Sequence, residues 1–408
     1  MSVVSKPVNE IRLVSLVALV QFVFVVDFMM VAPLGPDYTS ALGASNSDIG
    51  LVVASYTIAA AISSLLLAKL LDGFDRRMVM MFFLTGLSFS TVACAISNDI
   101  SDLIIFRFIA GLFGGPAASI AMAMIIDVVP AERRGKAIGK VMSAFSLSSI
   151  FGIPIGLELS HRGGWEMPFY VVGGLILVTV VLVYLLLPSM KQHLSFSEES
   201  KNEAKTQNFL TLFYRPEALV TYLMTLTSMI AAFLIIPNIA AFMQFNLQYP
   251  RESYGLLYLM GGIVSLLVMR LTGKWIDQFD IKLIGLFGTI LIIGIVYMGF
   301  IDSPSAAMAT VLFIIYMSAM SIRNVVSVSM SSMVPSQHER AAFTSLNQSV
   351  SHFAAGAGAI IGSYYLTTSE SGELIGMDIM GAWAIALSLF MPVCIVYLSR
   401  FVQKRQVA

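Results

Sequence analysis

Three charged side chains sit inside long apolar runs that leave them little water: Asp27, Arg107 and Arg323, the last followed by Asn324. A charge within a membrane-length segment is expensive, so each such residue is a functional candidate by default. Asp27 is the one suited to exchanging a proton. At about 1.5 Å per residue it lies roughly 10 Å from the end of its run near Leu34, and Arg107 lies at a comparable depth in a later run. Arg323 falls near the middle of its run, where it can bind an anionic group of a substrate or act as a fixed positive charge on a carboxylate across a cavity. Asn238 follows Pro237, and a proline frees a backbone carbonyl that must find a donor. It is read as a cavity-facing partner or, equally, as an ordinary interhelical hydrogen bond. Tyr56, with Phe233, Phe242, Tyr316 and several methionines, offers lining that tolerates apolar groups, although aromatics in such runs also serve packing. Glu158 either reaches the interface or is a second titrating acid. Arg270 is read as snorkelling or pairing with Asp277, and His352 as a satisfied core histidine rather than a proton carrier.

Other chemistry finds no support. The four histidines are scattered at positions 161, 193, 338 and 352, and the two cysteines, Cys94 and Cys394, lie in apolar runs far apart. They read as buried small hydrophobes rather than a disulfide or metal pair. Without a phosphate-cradling glycine loop, a metal-spaced cluster or a Ser/His/Asp arrangement, no catalytic residue, metal site or cofactor is assigned, and the chain is not read as an enzyme. Its basic residues are spread thinly at zero net charge, so no nucleic-acid partner is expected.

The elements that position these residues follow from composition. The chain has 408 residues, 57% hydrophobic and 12% charged, with a mean hydropathy of +0.85. Soluble domains carry about 25% charged residues, so this chain belongs in lipid. Spans of about 20 residues cross a bilayer core, and twelve are predicted, over 12–34, 49–70, 79–97, 102–128, 137–159, 167–188, 217–244, 254–273, 283–301, 305–333, 341–366 and 379–401. The first is read as a retained helix rather than a cleaved leader. Motifs recur between the halves at a nearly constant offset. The stretch 68–77 (AKLLDGFDRR) returns at 273–282 (GKWIDQFDIK), Val129-Pro130 returns as Val334-Pro335, and Gly152/Gly156 return as Gly358/Gly362. A duplicated membrane half is a transporter signature. The reading is an all-α integral membrane protein: twelve helices in two pseudo-symmetric six-helix halves around a central cavity, with halves at 1–188 and 216–408 and a linker at 189–215. The end of the linker, 209–214, is apolar enough to lie on the membrane surface. Lys and Arg fall almost entirely in loops of one parity, leaving only Arg162 and Arg251 in the others. This places both termini in the cytoplasm, in a bacterial inner membrane.

The motifs resemble those of the major facilitator superfamily over nearly the whole chain. Asp72, Arg76 and Arg77 are retained from its loop 2–3 signature, while Ala68, Gly73 and Asp75 depart from it. The 107–111 stretch (RFIAG) resembles the helix-4 arginine motif. The 148–156 stretch (SSIFGIPIG), with Gly152, Pro154 and Gly156, is similar to the helix-5 motif of the twelve-helix drug/proton antiporters, with Ile153 in place of a glycine.

The resemblance implies that helices 1, 4, 7 and 10 line the cavity, so that Asp27 and Arg107 face a shared aqueous space. A poorly solvated carboxylate holds its proton more readily, and a nearby guanidinium opposes that. A pair whose separation changes with conformation, or with a bound cation, would therefore take up and release a proton; the bland alternative is a permanent pair that only holds two helices together. The resemblance also implies that Asp72 faces the start of helix 11 and that Arg76 pairs with Asp127. These contacts would form only when the cytoplasmic side is closed, as a gate latch.

The resulting reading is a monomeric secondary transporter working by alternating access, with protons and a small amphipathic compound as partners, driving proton-coupled efflux. The alternative is an importer or uniporter of a polar or anionic metabolite. A non-transporting scaffold would gain nothing from burying Asp27, Arg107 and Arg323.

Overall fold

The computed structural model describes residues 9–71, 73–191, 214–302, 305–335 and 340–407. Twelve long helices make up nearly all of it, close to the predicted spans. The first six are α1 (Glu10–Met29), α2 (Ile49–Leu71), α3 (Arg76–Cys94), α4 (Ile100–Val128), α5 (Ala131–Leu147, running on to Ile153–Gly163) and α6 (Met167–Leu186). The last six are α7 (Pro216–Phe233 and its continuation), α8 (Tyr254–Gln278), α9 (Ile281–Val296), α10 (Ala306–Met333), α11 (Arg340–Tyr365) and α12 (Met377–Ser388, running on to Phe390–Val407). Helices are the form such a chain must take, since lipid offers the backbone no other hydrogen-bond partners. Eleven segments among the described residues are long and apolar enough to span a bilayer. The remaining one, α11, is 26 residues long but carries Thr344, Ser345, Asn347, Gln348, Ser349, Ser351 and His352 in its first half. Of the predicted linker, 192–213 lies outside the described residues, including nearly all of its apolar end.

The sequence repeat has a structural counterpart. Asp75 and Asp280, equivalent positions of the duplicated motif, each cap the following helix by accepting from a backbone N–H two residues on, Arg77 and Lys282 respectively. The repeated glycines also play equivalent parts. A Cβ added at Gly152 of α5 would lie 2.5 Å from Val26 of α1, and one at Gly358 of α11 would lie 2.7 Å from the Ile230 carbonyl of α7.

Two local irregularities sit where proline removes a donor. Before Pro154 the backbone widens into a π turn over Ser148–Gly152, and the Ile153 N–H reaches the Ser148 carbonyl. A widened turn absorbs the bond that proline cannot make. In α7 the helix breaks after Phe233 and resumes through a 3₁₀ turn, Ile236–Asn238, around Pro237.

One face of the bundle carries the chain ends: Glu10 pairs with Arg133 in the first turn of α5 at 2.8 Å, and Leu398 of α12 packs in one cluster with Val334 and Phe343. We call this the terminal face and its opposite the distal face. On the distal face the halves are joined. Arg251 binds Asp37, Ser45 donates to Thr368 at 2.6 Å, and the Asn46 amide donates to the Gly372 carbonyl at 2.9 Å. At the same level a Cβ added at Gly262 of α8 would lie 3.0 Å from Ile150 of α5, and Gly50 and Gly356 bring α2 against α11. Eleven residues nearer the terminal face, added Cβ atoms at Gly139 of α5 and Gly273 of α8 would meet nothing within 4 Å among the described residues. The halves are therefore closed against each other distally, while α5 and α8 stand apart at the terminal face.

Candidate functional site

Asp27 and Arg107 are brought together as a sealed pair. Arg107 Nη1 donates to both carboxylate oxygens of Asp27 at 3.2 Å, and Thr91 of α3 donates its hydroxyl to Oδ1 at 2.8 Å. Asp27 is 0% and Arg107 1% exposed. Tyr56 of α2 covers the other side, its ring centre 4.3 Å from the guanidinium carbon. Helix α4 approaches α2 closely enough for this because Gly111 and Gly114 lack side chains: a Cβ at 111 would run into the Tyr56 carbonyl, and one at 114 into its hydroxyl. Two polar atoms in the cluster, Tyr56 Oη and Arg107 Nε, are buried without a hydrogen-bond partner. Such orphans cost about 1–3 kcal/mol each. From the pair, an aromatic path leads to the interface between halves: Tyr56 lies 5.6 Å from Phe28, and Phe28 lies 6.3 Å from Phe233 of α7.

The helix-5 motif is part of the same site. Gly152 seats against Val26, and Gly156 faces Met30 across a 3.7 Å gap to a would-be Cβ. These α1 residues flank Asp27, so the bend at Pro154 bears directly on the helix that carries the carboxylate. Glu158 is exposed near the distal end and pairs with Arg162 at 2.5 Å.

In the last six helices, Arg323 is 5% exposed and stands apart from Asp27 and Arg107. Among the described residues it forms no ion pair; its Nη2 donates to the Met320 sulfur at 3.0 Å. Asn324 is exposed on the next position of the helix. Asn238 is 0% exposed, so it does not face a cavity in this conformation. Its amide turns back to the Leu234 carbonyl at 3.2 Å, within the broken stretch of α7. Tyr56 is likewise sealed rather than cavity-lining, because Arg107, Phe24 and Phe28 enclose it. Arg270 is exposed, and His352 is partly buried in α11.

The expected latch needs correction. Asp72 lies outside the described residues. Arg76 does reach Asp127, Nε to Oδ2 at 3.2 Å, yet it does so with the terminal face open. Both residues belong to the first six helices and move together, so this contact does not depend on closure of that face.

An ion pair that does join the halves lies elsewhere, and the sequence reading missed it. Asp37 accepts from Arg251 Nε at 2.8 Å, from Arg251 Nη2, and from Ser160 at 2.7 Å. Pro36, Trp165 and Gln244 help enclose a cavity of about 420 Å³ beside it. The available signal was slight: Arg251 is one of the two basic residues in the loops of that parity.

A polytopic helical bundle of two similar halves, splayed at one face and locked at the other around buried charges, defines a membrane transporter. The chain belongs to the Major Facilitator Superfamily, whose model matches residues 17–359. Its members are carriers rather than enzymes. Multidrug resistance protein 3 of Bacillus subtilis (strain 168) is 35% identical over 139 residues, 33% of this chain and 27% of that protein. A probable sugar efflux transporter of Helicobacter acinonychis (strain Sheeba) is 24% identical over 258 residues, 63% of this chain and 64% of that one. The matched stretches thus span less than two thirds of these relatives. Among solved structures, a D-xylose-proton symporter superposes with a TM-score of 0.72 at 17% identity, covering 94% of this chain and 96% of that one. The nucleoside transporter NupG does so at 0.74 and 14% identity, covering 96% and 100%. These establish the fold.

Proposed function

We propose that this protein is a proton-coupled exporter of a small amphipathic compound across a bacterial inner membrane, with Asp27 as the coupling carboxylate. The observation that carries the reading is the sealed Asp27–Arg107–Thr91 cluster, wedged between the helix-5 bend and the aromatic contact to α7. In the conformation described, the positive-inside pattern makes the open terminal face cytoplasmic, so the carrier stands ready to receive cargo from inside. Rocking of the halves would move α1 through Gly152 and Phe28. A shift that draws Asp27 from Arg107 takes the counter-charge from a buried carboxylate, and a proton taken up there would replace it. Return of the pair expels the proton. The partial likeness to a multidrug resistance protein supports export of amphipathic compounds.

The test is dye transport in everted vesicles under an imposed proton gradient, wild type beside Asp27→Asn. Gradient dissipation by some dye in wild type and its loss in the variant, at equal folded protein, is the expected result. Dissipation that persists in Asp27→Asn removes this residue from coupling. Import or uniport of a polar metabolite is the second reading, favoured by Arg323, which forms no ion pair among the described residues.

A further inference from the structure

The charges of the transmembrane region do not balance in a way that suits a cationic cargo. Asp27 is saturated by Arg107 and Thr91 and is 0% exposed, so it offers nothing for a cation to meet. From α7 to α12, the described carboxylates stand near helix ends or in the connections: Glu217, Glu252, Asp277, Asp280, Asp302, Glu370, Glu373 and Asp378. Among the described residues Arg323 is thus a positive charge with no carboxylate partner. It lies ten positions from the end of α10 at Met333, about 15 Å along a helix, or roughly half of a bilayer core of about 30 Å. Among the described residues its one hydrogen bond is to a thioether, a weak acceptor. Nε and Nη1 are not among the sealed orphan atoms, unlike Arg107 Nε, so they retain accessible surface. Charges at this depth are ordinarily paired.

We infer that the cargo supplies the missing partner: it is an organic anion, a carboxylate or similar oxyanion on an apolar body, whose charged group is received by Arg323. This rests on the transport reading and specifies its substrate class. The fixed fork of a guanidinium suits a two-oxygen group. Tyr316, two turns towards the distal face on the same side of α10, and Met320 give the body apolar contact. Entry is from the terminal face, where α5 and α8 stand apart.

The experiment is equilibrium binding to the purified protein in detergent, with no gradient present. The probes are pyrenebutyrate, naphthaleneacetate and decanoate, each beside its methyl ester and a trimethylammonium analogue of the same body. At least one carboxylate is expected to bind tenfold or more tightly than both analogues. Arg323→Gln should reduce it to the level of the ester, and Arg323→Lys, which keeps the charge but loses the fork, should fall between. Gel filtration establishes that both variants are folded, and the lysine variant carries the test if the glutamine one is not. Equal or tighter binding of the cationic analogues, no carboxylate binding at all, or unchanged affinity in folded variants overturns the inference. Displacement of the probe by millimolar chloride, but not gluconate, overturns it in favour of an inorganic counter-ion. Because no proton gradient enters, failure of the vesicle assay on Asp27→Asn leaves this result intact, and the reverse also holds.

Discussion

Removing Arg251 should open the distal face. Arg251 and Asp37 are 18% and 20% exposed at their side chains, between a surface pair and a sealed one. Exposed pairs contribute about 0–1 kcal/mol and breaking buried ones costs about 3–5 kcal/mol. For this pair, with two N–H donors on one carboxylate, about 2 kcal/mol is a fair value. The contact spans the two halves and exists only while the distal face is closed, so its loss falls entirely on that state. About 2 kcal/mol is roughly a 30-fold change in an equilibrium constant. A distal-open state populated at about 1% would rise to roughly a quarter of molecules. The assay is a spin-label distance distribution between Ala41→Cys and Glu370→Cys, one on each half, with the buried Cys94 and Cys394 replaced. Arg251→Ala should add a longer-distance population, and the exchanged pair Asp37→Arg with Arg251→Asp should suppress it. A distribution identical to wild type in Arg251→Ala would refute the view that this pair holds the distal face shut. The remaining bonds from Ser45 and Asn46 would then be sufficient alone.

Two further outcomes follow from local geometry. Gly152→Ala places a Cβ 2.5 Å from Val26, an overpacking that costs about 1–3 kcal/mol, so thermal stability and transport should both drop. Adding Val26→Ala should restore much of both, and an unaffected single variant would show that α1 can give way. At Asp75, burial pushes the carboxyl up, but hydrogen bonds from Ser189, Met190 and Arg77, with the charge of Lys191, hold it below the usual range. A depressed folded value means stability present above the unfolded value of about 3.9 and lost as pH falls through the folded one. Asp75→Asn can still cap the helix but loses the negative charge and the oxygen that accepts from Ser189, so it should lower the unfolding temperature by a few degrees near neutral pH. That deficit should shrink towards pH 3; a deficit independent of pH would mean that the charge is not what matters.

Much of the architecture was legible from residue order alone. Helix positions and number followed from apolar runs, because each run must satisfy its backbone within itself and is long enough to cross a bilayer. The duplication was visible in the repeated Asp75 and Asp280, which turned out to cap equivalent helices, and in Gly152 and Gly358, which turned out to serve equivalent close approaches. That Asp27 and Arg107 lie at one level was readable because helical rise converts count into distance, and the two side chains do meet. What depends on neighbours distant in sequence was not. Thr91 as a third partner, the sealing of Tyr56 and Asn238, and the Asp37–Arg251 contact each require packing between helices whose mutual placement no local pattern specifies. Arg76 shows the limit most clearly: its partner Asp127 was expected correctly, but whether that contact reports closure was decided by which half each residue rides on. Which face stands open belongs to the tertiary structure alone. It is set by a few weak contacts between two bundles, a small free-energy difference that leaves no periodic trace along the chain.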